Sequence, residues 1–137
     1  MTAGDLDHIR SRLREAEEGI REGEVLLQHG LLRAAVSRLY YACFHATEAL
    51  LWTENLHSKK HTGIRSLFER HWILAGRLPN EMGQFYRELL DNRHDADYRV
   101  ADFEREQVET WLDEARRFVG ALTSEAQRKL EDKPPIT

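Results

Sequence analysis

The stretch from Leu31 to Trp52 limits what this chain can fold into more than any other feature. Ala34, Ala35, Val36, Leu39, Tyr40, Tyr41, Ala42, Cys43, Phe44, Ala46, Ala49, Leu50 and Leu51 make it apolar nearly all round. A surface helix shows one apolar stripe; a helix apolar on most sides must be covered on most sides. The segment is therefore expected to be a central helix. Its small residues Ala34, Ala35, Ser37, Ala42, Ala46 and Ala49 permit neighbours to approach closely.

The flanking segments supply the cover. Leu6, Ile9, Leu13, Ala16, Ile20 and Leu27 recur at helical spacing, with a charged face between them, and His29-Gly30 interrupts the pattern as a helix end does. Ile64, Leu67, Phe68, Trp72 and Ile73 mark a shorter helix over Thr62 to Ala75, closed by Gly76. Met82, Phe85, Tyr86, Leu89 and Leu90 mark a fourth, opened by Leu78-Pro79-Asn80 and expected to end near Asn92. Val108, Trp111, Leu112, Ala115, Phe118, Val119, Leu122, Ala126 and Leu130 mark a long last helix, with Asp102 expected as its N-cap and Lys133-Pro134-Pro135 as its stop. Only 8 glycines and 3 prolines in 137 residues leave little room for a many-turned β protein. The expected fold is all-α, an antiparallel up-and-down bundle of about five helices, forming a single domain over 1–132 with a short tail at 133–137.

Several function classes fall away. With one cysteine, Cys43, neither an intrachain disulfide nor a multi-cysteine zinc motif is available. No run approaches the ~18 apolar residues of a membrane span, and Met1 to Arg10 lacks the apolar core of a signal peptide, so a cytoplasmic protein is expected. A net charge of −4 argues against a general nucleic-acid coat while leaving room for a local basic site.

Three polar clusters stand out. On the central helix, Arg38, Tyr41, His45 and Glu48 are spaced to share one face, reading either as a pocket for a phosphate or as an internal salt-bridge network or dimer surface. His57-Ser58-Lys59-Lys60-His61 reads as a surface loop with a small basic spot; its two histidines have no evident third metal ligand, so no metal is expected. Arg93-His94-Asp95-Ala96-Asp97-Tyr98 reads as a polar junction between two helices, either a site or a turn in which Asp95 and Asp97 cap backbone amides.

The run Ala35-Val36-Ser37-Arg38-Leu39-Tyr40-Tyr41-Ala42-Cys43-Phe44-His45-Ala46-Thr47-Glu48-Ala49-Leu50-Leu51 resembles the second helix of HEPN-domain proteins. Lys60-His61-Thr62-Gly63-Ile64 and Arg93-x-x-Ala96-Asp97-Tyr98 fit the small stand-alone prokaryotic branch of that family, in the expected order. The resemblance implies a homodimeric helical bundle, often paired with a minimal nucleotidyltransferase in a toxin–antitoxin-like system. It also implies, for many members, a metal-independent endoribonuclease whose Arg, four to six residues, then His motif opens the last helix. There His would act as acid or base on the ribose 2′-hydroxyl while Arg holds the phosphate charge.

This chain departs from that motif. At the offsets from Arg93 where histidine belongs stand Tyr98, Arg99 and Val100. The pairs Arg38/His45, Arg65/His71 and Arg87/His94 have the spacing but not the place, and spacing alone carries little weight. The leading expectation is a HEPN-type domain that binds nucleotide or RNA, with Arg38, His45, His61, Arg93, Asp97 and Tyr98 as ligand-binding candidates and no cofactor. Its rivals are a ribonuclease toxin, with Arg93, His94 and Tyr98 as catalytic candidates and His45 as a further displaced histidine, and a helical adaptor without a ligand.

Overall fold

The computed structural model describes residues 1–97 and 102–132. Helix α1 spans Ala3–Gln28. Its start is a reciprocal cap that the apolar periodicity did not disclose. The Asp5 amide donates to Thr2 Oγ1 at 3.1 Å, and the Thr2 amide donates to the Asp5 carboxylate at 2.8 Å. The Trp52 indole also donates to Asp5, at 3.1 Å, tying the end of the second helix to the beginning of the first. The Thr2 bonds, then that of Trp52, hold the Asp5 carboxyl down at about 2. Gly30, at φ +74°, turns the chain back after α1, a left-handed backbone that glycine adopts without strain.

Helix α2, Leu32–Trp52, is the central element, packed on by each of the other helices. Leu39, Tyr40, Ala42, Cys43, Ala46 and Leu50 are completely inaccessible. The small residues do what their sizes allow: a Cβ placed on Gly19 of α1 would stand 2.9 Å from Ala42 Cβ, so the two helices run nearly in backbone contact there. Burial in this apolar setting pushes the Cys43 thiol up, which marks it as inert packing.

Helix α3, His61–Phe68, starts one residue before the expected Thr62 and does not continue as an α-helix. Glu69–Ile73 forms a π-helical turn, in which the Leu74 amide donates to the Glu69 carbonyl at 2.7 Å. The widened turn leaves Trp72 wholly buried, and the Arg77 guanidinium lies 4.3 Å over its ring. Arg77 and Lys129 both reach Glu54, so one carboxylate joins the end of α2, the chain after the π turn and the last helix.

Helix α4 spans Asn80–Asp97, and α5 spans Arg105–Asp132. Two expectations are corrected here. The fourth helix does not stop near Asn92 but takes in Arg93 to Asp97, because Arg93 and Asp97 pair one turn apart and Ala96 is buried. Neither Asp95 nor Asp97 therefore lies in a turn. Asp102 stands too early to be the N-cap of α5; the carbonyl that accepts the first helical bond, from Val108, is that of Glu104. The proposed stop at Lys133 to Pro135 and the tail lie outside the described residues. The described residues form an all-α bundle, and no helix among them is long and apolar enough to cross a membrane.

Candidate functional site

Two tyrosines side by side on α2 organise the polar residues. Tyr40 points into the bundle, fully buried, while Tyr41 is partly exposed beside it. Arg93 crosses from α4 and lays its guanidinium 4.9 Å above the Tyr40 ring and 5.5 Å from that of Tyr41. The quadrupole of each ring attracts the cation, and a desolvated contact of this kind is worth up to about 2 kcal/mol. Arg93 Nη1 donates to Asp97 at 2.9 Å, and the side chain is only 20% exposed. Asp97 also accepts from Ser37 Oγ at 3.3 Å, which anchors the end of α4 to the start of α2. Arg93 Nε is buried with no hydrogen-bond partner among the described residues. Burial works against the guanidinium charge, but Asp97 and the two tyrosines outweigh it and raise its pKa. The cation is permanent.

His61, the first residue of α3, closes the other side. Its Nδ1 lies 2.8 Å from the Tyr40 hydroxyl. Its ring stacks on Phe44 at 4.1 Å and 15° and meets Tyr41 edge-on at 5.9 Å. Burial, then the nearby Arg93 charge, lowers the pKa of His61 below its ordinary value, and Glu48 opposes that shift. Burial also raises that of the Tyr40 phenol, so it remains a neutral donor and acceptor at physiological pH. One turn along α2, His45 Nδ1 is 3.1 Å from Glu48, with both side chains about four-fifths covered.

The sequence candidates thus separate. Arg93, Asp97, His45 and His61 are brought to one side of α2. Arg38 is not buried and not part of this group; half-exposed, it lies 3.7 Å from Glu22 of α1. It does face the same side of the bundle as Asp97 across a hollow of ≈ 540 Å³, which Ser37 and Arg33 also line. His94 follows Arg93 on α4, turned about 100° away around the helix axis. Tyr98 lies outside the described residues. The His57–His61 segment does not act as one loop, for His57 packs tilted against Trp52 at 4.7 Å while His61 heads a helix at the site. Among the described residues no group of His, Cys, Asp and Glu is placed to hold a metal ion. Of the three arginine–histidine pairs, Arg87 is engaged with Glu69, and on α2 Arg38 reaches Glu22 while His45 lies against Glu48.

Sequence reasoning did not single out Tyr40 as the hub, nor Phe44 as the shelf for His61. Their signal was present as two aromatics one helical turn apart, Tyr40 and Phe44, on the most apolar helix. Only the arrival of α3 and α4 gives that signal meaning.

A central helix sheathed by four others, with no strand among the described residues, is consistent with the all-α bundle of a HEPN-type helical domain. A model of the HEPN domain family matches residues 9–127, and the chain belongs to that family. A Thermotoga maritima relative named "UPF0332 protein" is 34% identical over 110 residues, covering 80% of this chain and 83% of its own. A Methanocaldococcus jannaschii relative named "Putative toxin MJ0605" is 34% identical over 116 residues, covering 85% and 87%. A Gloeobacter violaceus protein, "UPF0332 protein glr0978", is 42% identical over 76 residues, covering 56% of this chain and 58% of its own.

Proposed function

We propose that this chain is the HEPN member of a toxin–antitoxin-like pair and that it binds a phosphate-bearing ligand, a nucleotide or RNA, through the Arg93 cluster. The observation that carries the reading is Arg93 itself: a permanently charged, mostly covered guanidinium, laid on two tyrosines, with only part of its donor fork used by Asp97. A planar fork held in a low-dielectric setting suits a phosphate group better than a flexible surface lysine does. Two archaeal relatives carry the word toxin in their names, which supports the system-level part of the reading. The partner is a minimal nucleotidyltransferase, the working unit is a homodimer, and the compartment is the cytoplasm. Ser37, Arg38 and Asp97, the partner of Arg93, line one hollow, and Tyr98 follows Asp97 directly in the chain.

A metal-independent endoribonuclease is the second reading, with Arg93 holding the phosphate and His45 moving the proton. The His45–Glu48 contact favours it, since a carboxylate on Nδ1 fixes the ring's orientation as an acid–base residue needs. Fluorescence anisotropy with a labelled single-stranded RNA separates the possibilities. Arg93→Ala is expected to weaken binding at least about tenfold, the loss of one charge-assisted contact. Equal binding by wild type and variant, or none by either, defeats the Arg93 reading and leaves a helical adaptor. Appearance of shortened RNA, lost in His45→Ala, favours the second.

A further inference from the structure

Resting on the Arg93 reading above, we propose that the anion held by Arg93 is also held by His61, and that it enters the site together with a proton taken up by that imidazole. The two cationic groups come from different helices, α4 and α3, yet lean on the same pair of rings. Tyr40 carries the Arg93 guanidinium on its face at 4.9 Å and binds His61 Nδ1 through its hydroxyl at 2.8 Å. Tyr41 lies 5.5 Å from the guanidinium and meets the imidazole edge-on at 5.9 Å. A phenol hydroxyl can donate to the lone pair of a neutral imidazole and accept from an imidazolium, so this bond survives protonation and the ring need not move. Phe44 fixes the ring plane from the other side. His61 is a pre-oriented group able to change charge in place.

The surroundings set the direction. Facing or flanking His61 are Tyr40, Tyr41, His45 and Glu48 from α2, Arg93 and its partner Asp97 from α4, and Arg65 one turn on along α3, with Lys60 preceding it in the chain. Burial and Arg93 bias the imidazole toward its neutral form, and Glu48 only partly opposes them. An anion seated on Arg93 cancels the repulsion and adds attraction, so between the free and bound midpoints the bound state holds more of the proton than the free state. By linkage, affinity then falls as pH rises through that window, by a total of about tenfold for each pH unit that separates the two midpoints and about threefold for half a unit. The ligand class is one that carries a compact, non-titrating negative charge, as a backbone phosphodiester does.

Sulfate is a suitable probe because its charge does not change between pH 5.5 and 8. Isothermal titration across that range should show affinity falling with pH in the wild type and a flat profile in His61→Gln, with the slope retained in His45→Gln. Circular dichroism confirms that each variant is folded. In parallel, the imidazole Cε1–H signal of His61 should titrate below the ordinary histidine midpoint without sulfate and move up by about half a unit or more when sulfate is saturating. If sulfate binds in an Arg93-dependent way but with no pH slope, or if the slope follows His45, the proton-coupled role of His61 is overturned while Arg93 stands. If sulfate binds equally well to Arg93→Ala, the underlying reading fails instead. A dinucleotide with a deoxyribose backbone, tested the same way, shows whether a phosphodiester shares the behaviour; a flat profile with it overturns the assignment of ligand class.

Discussion

Gly19 and Gly120 are both interior helical glycines, and the same substitution should act on them with opposite sign. Replacing either with alanine gains about 0.8–1.0 kcal/mol of helix propensity, because the unfolded chain loses less backbone freedom. At Gly120 in α5 the added methyl meets nothing within 4 Å, so Gly120→Ala should keep the whole gain. At Gly19 the new Cβ would lie 2.9 Å from Ala42 Cβ and 3.3 Å from Ala42 Cα. Neither of those atoms can rotate away, so α1 and α2 must separate by several tenths of an ångström along their contact. Overpacking of this kind costs about 1–3 kcal/mol, which leaves Gly19→Ala destabilised by up to about 2 kcal/mol after the propensity gain. Gly23→Ala falls between them, since the clash there is with Leu39 Cδ2, the far end of a side chain that can re-orient. Urea unfolding followed by circular dichroism orders the three, and melting shifts of about 3–5 °C per kcal/mol are expected at this size. A Gly19→Ala protein as stable as Gly120→Ala would refute the close helix contact, and with it the placement of α2 that sets Tyr40 against Arg93 and His61.

Glu54 gives a pH-dependent prediction. Arg77, then Lys129, depress its carboxyl from 4.5 to about 2, so the contribution is present above pH 4.5 and lost as pH falls towards 2. Because the network touches solvent, Glu54→Gln should cost only about 1 kcal/mol at pH 7, and urea midpoints of variant and wild type should converge near pH 2. Asp97→Asn removes the anion that competes for Arg93, so sulfate or RNA affinity should rise by roughly fivefold, about 1 kcal/mol; a loss of binding would show that Asp97 positions Arg93 rather than masks it. Phe118 packs on Phe68, Tyr86 and Phe85 at centroid distances of 5.6 to 6.0 Å, so Phe118→Ala should cost about 3–5 kcal/mol in chemical denaturation, against well under 1 for the exposed Leu74→Ala. Tyr40→Phe keeps the shelf under Arg93 and deletes the bond to His61; RNA affinity at pH 8 should change little, and a tenfold loss there would mean that the hydroxyl itself serves Arg93.

Much of the architecture follows from residue order alone. The all-round apolar run of α2 could be stable only at the centre, and the striped segments on either side could bury their stripes only against it, so the all-α bundle and the inward residues of each helix were legible. Periodicity reports burial, however, and says little about polar residues. Arg93 to Asp97 looked like a loop because they are charged, although an i,i+4 ion pair and a buried Ala96 keep them helical. The π turn at Glu69–Ile73 was likewise invisible, since one long apolar spacing resembles the next.

The site depended on tertiary structure for a different reason. His61, Arg93 and Tyr40 are far apart in the chain, and the preference of an imidazole or a guanidinium for a neighbouring ring is too weak and too general to identify its partner from sequence. The sequence by itself determined that one helix would be surrounded. Which cation met which ring was decided by the way α3 and α4 close over that helix, where burial makes each charge costly enough to need the partner it finds.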